Sequence, residues 1–138
     1  CLHSDISRAD WRQLDFIEGI QNEPMKDLVK NLAFDKAVVN LATPSSIQFP
    51  HTHGTSTVIT YYINPDWKKE YYGETIFYDD SMTHCIGTSL YHTNSAVIFD
   101  GKIPHSIRPA SHIAPSYRFS LSVFFRQKNF IEEAKNSS

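Results

Sequence analysis

From Ala37 onward the chain breaks into short runs of β-branched and aromatic residues, and this alternation constrains its fold more than any other feature. Ala37–Ala42, Ser56–Ile63, Glu74–Tyr78, His84–Tyr91, Ala96–Phe99 and Tyr117–Phe125 have strand composition. Between them lie Thr43-Pro44-Ser45-Ser46, Asn64-Pro65-Asp66, Asp79-Asp80-Ser81, Thr93-Asn94 and Pro104 to Pro115, all turn or loop chemistry. Short strands in series must close into a sandwich or roll to bury their apolar faces.

The first third has a different period. Ile6, Trp11, Leu14, Phe16, Ile17 and Ile20 fall near one helical face, with Ser4 or Asp5 as N-cap. Asn22-Glu23-Pro24 opens a second helix with Pro24 at its first position and Met25, Leu28, Val29 and Leu32 inward. The expected architecture is mostly β with flanking helices (α+β): a jelly roll buttressed by N-terminal helices. Residues 1–36 form the helical support, 37–126 the jelly-roll core and 127–138 a polar C-terminal tail.

At 138 residues the chain makes one domain with a sizeable core. Its 13 basic and 15 acidic residues leave a net charge of −2, so no broad basic field points to nucleic acid or an anionic membrane. No apolar run approaches the roughly 20 residues that span a bilayer. Two cysteines, Cys1 and Cys85, make no disulfide framework, and a reduced, intracellular (cytoplasmic) setting is the expectation.

Two pieces of the chain carry metal-site chemistry. In His51-Thr52-His53, an extended backbone projects both imidazoles to one side, because strand side chains repeat every two residues. His105 ends the apolar stretch after Ser95 and supplies a third, distant imidazole, giving a facial set with open coordination positions. His3, His84, His92 and His112 have no such context. Arg118 opens the last strand, and there Arg118, Ser120, Ser122 and Phe124 share one face while Phe119, Leu121, Val123 and Phe125 share the other. That pattern suits either a surface strand or a roll that aims an arginine and hydroxyls at a polar ligand.

Tyr61-Tyr62-Ile63-Asn64-Pro65-Asp66-Trp67, followed by Gly73-Glu74-Thr75-Ile76-Phe77-Tyr78, then His105 and the arginine strand, resembles the iron(II)/2-oxoglutarate-dependent dioxygenases of the prolyl 4-hydroxylase type. The motifs run in order from His51 to Phe125. The resemblance implies a double-stranded β-helix with iron at its mouth, His51 and His105 as metal ligands, and Arg118 paired with the distal carboxylate of 2-oxoglutarate. Ser120, Ser122 and Tyr62 would assist at that carboxylate. It also implies dioxygen as co-substrate, ascorbate as a reductant, and a small-molecule or peptide substrate, including a prolyl side chain, oxidised with release of succinate and CO2. Trp67 and Phe99 are expected to pack, and Glu74 to hold a loop. Loops Thr43–Pro50, Pro65–Tyr72 and Arg108–Pro115 are expected to line the entrance, with Tyr71-Tyr72 contacting substrate or covering the barrel.

The chain departs from the family pattern at one position. Relatives carry H-x-D, and this chain carries His51-Thr52-His53. In one register His53 replaces the carboxylate and three histidines bind the metal. In the other, His53 is the first ligand and Thr55 stands where the acid would be, the vacancy seen in halogenases. Asp79, Asp80 or Asp100 could supply a carboxylate from elsewhere. A non-catalytic jelly-roll binding protein, and a three-histidine dioxygenase that works without 2-oxoglutarate, are the competing readings.

Overall fold

The computed structural model describes residues 2–7, 18–44 and 46–127. The chain runs β1 (Leu2–Ile6), α1 (Glu23–Lys30), β2 (Leu32–Ala42), β3 (Thr57–Tyr62), a 3-10 turn (Lys69–Tyr71), β4 (Thr75–Tyr78), β5 (Cys85–Ser89), β6 (Ala96–Asp100), β7 (His105–Ile107) and β8 (Arg118–Gln127). A five-stranded sheet has the order β1-β2-β8-β3-β6 and a three-stranded sheet the order β5-β4-β7. Every pairing is antiparallel. This mostly-β arrangement is compatible with a jelly roll. No helix among the described residues is long and apolar enough to cross a membrane.

The two faces of the larger sheet have separate roles, and β8 sets them. Leu121, Val123 and Phe125 join Ala37, Ile59 and the helical Val29 in a buried cluster on the outer face. The opposite face is built in rows by the strand register. Lys36, Phe124, Val58 and Phe99 form the first row; Val38, Ser122 and Thr60 the second; Asn40, Ser120 and Tyr62 the third; Ala42 and Arg118 the fourth. The parity of the last strand therefore belongs to a polar cavity, not to a surface edge.

The N-terminal third differs from its sequence pattern. Ser4 and Asp5 cap no helix: they lie in β1, opposite Val39 and Val38. Most of the helix expected between Ile6 and Ile20 falls on residues 8–17, outside the described residues, as does the polar tail after Gln127. The second helix forms with the Asn22 side chain accepting the Met25 N–H at 3.0 Å. Val29 is buried, whereas Leu28 is half exposed and Leu32 already belongs to β2. β2 starts before Ala37 because Leu32, Ala33 and Phe34 pair with β8, a long-range partner that local periodicity does not reveal. β7 lies inside the segment expected to be loop; three residues are too few for an alternation to register.

Candidate metal and dicarboxylate site

His51, His53 and His105 converge at the end of the cavity, with their ligand-type nitrogens all within 4.8 Å of one another. Their ring centroids are 4.6–4.8 Å apart. Backbone pairing produces this convergence. His51 and His105 exchange N–H to carbonyl bonds in both directions, each 3.0 Å, which docks the segment before β3 onto β7. His53 N–H donates to the Gly101 carbonyl at 2.7 Å, and Gly101 N–H donates to the Ser56 carbonyl at 2.7 Å. A Cβ at residue 101 would stand 2.7 Å from the Ser56 oxygen and 3.1 Å from the His53 Cβ, so only glycine admits this approach.

Two of the imidazoles are anchored through Nδ1. His51 Nδ1 donates to the Phe49 carbonyl at 2.9 Å and His105 Nδ1 to the Ile103 carbonyl at 2.8 Å. A carbonyl only accepts, so each Nδ1 carries a proton, which leaves Nε2 as the nitrogen that can face a metal. Burial, then the neighbouring His105, His51 and Lys36, push His53 down to about 4. Burial also lowers His105, against the opposing effect of its bond to Ile103. Phe99 and Phe124 wall the cluster at 4.7 Å from His105 and 4.9 Å from His53.

Among the described residues no carboxylate joins the cluster. Asp79 is bound in its own turn by Thr83 and His84, Asp100 accepts the Lys102 N–H, and Asp80 is exposed. Thr55 is exposed at a turn and lines no part of the cavity. Of the two registers read from the sequence, the geometry matches the one with His53 beside His51 and His105. His84, His92 and His112 are exposed and distant from it.

Behind the polar rows lies Arg118, fully buried. Its Nε donates to the Gly73 carbonyl at 2.7 Å and its Nη1 to Ser120 Oγ at 3.3 Å. Nη2 is buried with no hydrogen-bond partner. Burial lowers the pKa of this guanidinium. Its charge is offset by the faces of Tyr91 at 5.2 Å and Tyr62 at 5.7 Å, and no carboxylate pairs with it among the described residues. An unmatched buried N–H on a cation is expensive, and an anionic ligand would satisfy it.

A cavity of about 310 Å³ opens on the histidines and on Ser120, the serine that Arg118 bonds, and is also lined by Asn40, Thr60, Thr75 and Ser122. Tyr62 does not line it. Its hydroxyl is held by Thr75 Oγ1 at 3.0 Å and Ser89 Oγ at 2.9 Å, so its contact with the cavity passes through Thr75. Trp67 packs in the buried cluster with Tyr62 and Tyr91, as expected, and Phe99 both packs and lines the cavity. Glu74 accepts from Arg108 Nη1 at 2.9 Å, which ties the turn before β4 to the segment after β7. Arg108 also lies 3.5 Å over the Tyr72 ring.

Sequence reasoning assigned no role to Asn64, Gly73, Thr75 or Lys36. Asn64 is buried; its Oδ1 accepts the Phe119 N–H at 2.6 Å and its Nδ2 donates to the Tyr117 carbonyl at 2.8 Å, bracketing Arg118. Its place directly after the Tyr61-Tyr62-Ile63 segment was the available signal. Gly73 has φ +84°, and a Cβ there would stand 3.2 Å from the Arg118 Cδ and Nε.

Solved structures share this architecture. A Pseudomonas putida prolyl-4-hydroxylase superposes over 91% of this chain and 71% of its own, with TM-score 0.62 and 18% identity. The fold is that of the prolyl 4-hydroxylases. A Phytophthora capsici prolyl 4-hydroxylase matches over 92% of this chain with TM-score 0.61 and 15% identity. A Trichoplax adhaerens prolyl hydroxylase, solved with a peptide fragment of the hypoxia inducible factor oxygen degradation domain, matches over 68% with TM-score 0.52 and 15% identity. The chain spans 48% and 44% of the latter two. The sequence matches no family model and no curated protein. The likeness to the prolyl 4-hydroxylase fold is thus one of backbone arrangement.

Proposed function

We propose that this chain is an iron(II)- and 2-oxoglutarate-dependent oxygenase on a double-stranded β-helix, hydroxylating a C–H bond of a small molecule or a peptide side chain. The observation that carries this reading is a three-histidine cluster on one cavity whose wall, at Ser120, is backed by a buried, incompletely bonded arginine. The residues fit both groups. Imidazole nitrogens suit iron(II), and three of them leave positions for exogenous ligands. A guanidinium with a free N–H beside a serine hydroxyl suits a carboxylate.

His51, His53 and His105 would hold the metal; Arg118 and Ser120 would hold the far carboxylate of 2-oxoglutarate, with Ser122 along the same wall and Tyr62 acting through Thr75. Iron(II) with 2-oxoglutarate supplies the activation of dioxygen that oxidises a C–H bond, with succinate and CO2 as co-products and ascorbate as the supporting reductant. The chain's own part is to orient the two ligands, to disfavour protonation of His53 and His105 by burial, and to exclude water with Phe99 and Phe124. A prolyl or other peptide substrate draws support from the Trichoplax neighbour, which was solved with a peptide.

Anaerobic addition of iron(II) and 2-oxoglutarate tests the reading. A weak visible charge-transfer band is expected, lost in His105→Ala and in Arg118→Met. Absence of the band in the wild type overturns the proposal. The carboxylate-free cluster favours one alternative, a ligand-binding roll without turnover. Succinate release under air separates the two, since only the oxygenase produces it.

A further inference from the structure

We infer that the cavity mouth is an anion subsite centred on Lys36, and that the molecule oxidised here carries a carboxylate or phosphate group. The oxidation rests on the reading above; the anion subsite does not. The argument begins with a β-bulge. β2 pairs Phe34 with Phe125 and then Lys36 with Phe124, so Asp35 is an extra residue opposite no partner. Regular alternation would place Phe34 and Lys36 on one face. The bulge instead leaves Phe34 packed against the outer core and turns Lys36 to the cavity side with Val38 and Asn40.

The lysine arrives there without an ion-pair partner among the described residues. Its Nζ lies 4.9 Å from the Phe124 ring centroid, and that ring lies 4.9 Å from His53. Asp35, the nearest acid in sequence, has its carboxylate 3.5 Å from Arg126 Nη2 instead. Among the described residues no carboxylate lies within ion-pair distance of Lys36. Among the described residues Asp5 and Lys36 are the acid and the lysine that line the cavity, and Arg118 lies behind its inner wall. Gln48 stands on the same lining, its Oε1 taken by the Ile107 N–H at 3.0 Å, so that its other end is the N–H donor. An ammonium held over an apolar ring and outside ion-pair distance of any described carboxylate can attract and orient an anion next to the histidine cluster.

Matched pairs of probes test this with the iron- and 2-oxoglutarate-loaded protein. N-acetylated amino acids with a free carboxylate are compared with their amides, and phosphate monoesters with their parent alcohols, by stimulation of succinate release. The anionic member is expected to stimulate roughly 3- to 10-fold more in the wild type, a preference lost in Lys36→Gln and retained in Lys36→Arg. Equal stimulation by both members, or a preference that survives Lys36→Gln, overturns the inference. A second measurement needs no iron chemistry: acetate and methyl phosphate are titrated into metal-free protein while the amide resonances of Lys36 and Phe124 are followed. Saturable shifts in the wild type but not in Lys36→Gln support the subsite, and the tighter of the two anions identifies the class. No saturable shift overturns it. Saturable shifts without any charge-transfer band would uphold the subsite and overturn the oxygenase reading.

Discussion

His51 and His105 are joined twice, by a reciprocal pair of 3.0 Å backbone hydrogen bonds and by imidazoles whose centroids are 4.6 Å apart. The residues lie 54 positions apart in the chain, so the cluster exists only after β7 has paired with β4 and the segment before β3 has docked on it. Metal binding at the proposed site would therefore be linked to tertiary folding.

Gly101→Ala tests the close approach that positions His53. The new Cβ would meet the Ser56 carbonyl oxygen at 2.7 Å and the His53 Cβ at 3.1 Å, neither of them the mobile end of a flexible side chain. The expected cost is roughly 1–3 kcal/mol of stability, with weaker iron(II) binding than in the wild type. Thermal unfolding with and without metal measures both.

Stability of the metal-free protein is expected to fall with pH below neutrality. His53 is held to about 4 in the folded state, against an ordinary value near 6.5, chiefly by burial. Above pH 6.5 both states are neutral and the full stability is present. Between 6.5 and 4 the unfolded chain takes up a proton that the folded chain refuses, so stability declines, and the loss is complete below 4. After discounting for partial solvent access the loss is roughly 1–3 kcal/mol, and His105, shifted the same way by burial, adds to it. Urea unfolding from pH 7.5 to 4.5 follows it; a flat profile would contradict the buried neutral cluster.

Arg118→Met should separate binding from folding. The substitution removes a fully buried cation with an unsatisfied Nη2 and substitutes an apolar chain. Replacing a poorly matched buried charge in this way is often neutral to folding, within about 1–2 kcal/mol. The 2-oxoglutarate affinity should drop at least tenfold, while iron(II) affinity at the histidines stays close to wild type. Isothermal titration with each ligand reads the two effects apart.

Asn64→Ala should loosen Arg118 without touching it. Asn64 bonds the backbone on both sides of the arginine, at Tyr117 and Phe119, and also accepts from Tyr91 Oη at 2.7 Å. Loss of these buried bonds is expected to cost roughly 2–4 kcal/mol. Weaker 2-oxoglutarate binding should accompany it. Asn64→Asp keeps the accepting oxygen and loses the donor, so it should fall between the two.

The polar-apolar alternation of β8 was legible because a strand's two faces are written into consecutive residues, and Ser120, Ser122 and Phe124 do line the cavity. The motif order from His51 to Arg118 pointed to a metal and a dicarboxylate, and the structure brings those residues to one cavity and its inner wall. β1 and β7 were not legible: both are short, and each is held by a partner far away in sequence. The bulge at Asp35 was equally silent, since nothing local distinguishes Lys36 turned inward from Lys36 on a surface.

By itself the sequence determined the period of each segment, the turn chemistry between them and the supply of imidazoles and guanidinium, because these depend on residues close in the chain. Only the tertiary structure decided that His51 and His53 both converge on His105, that Arg118 Nη2 is left without a hydrogen-bond partner, and that Lys36 faces the cavity. Each of these depends on strand register and backbone contacts across tens of residues, and those energies are absent until the two sheets have packed.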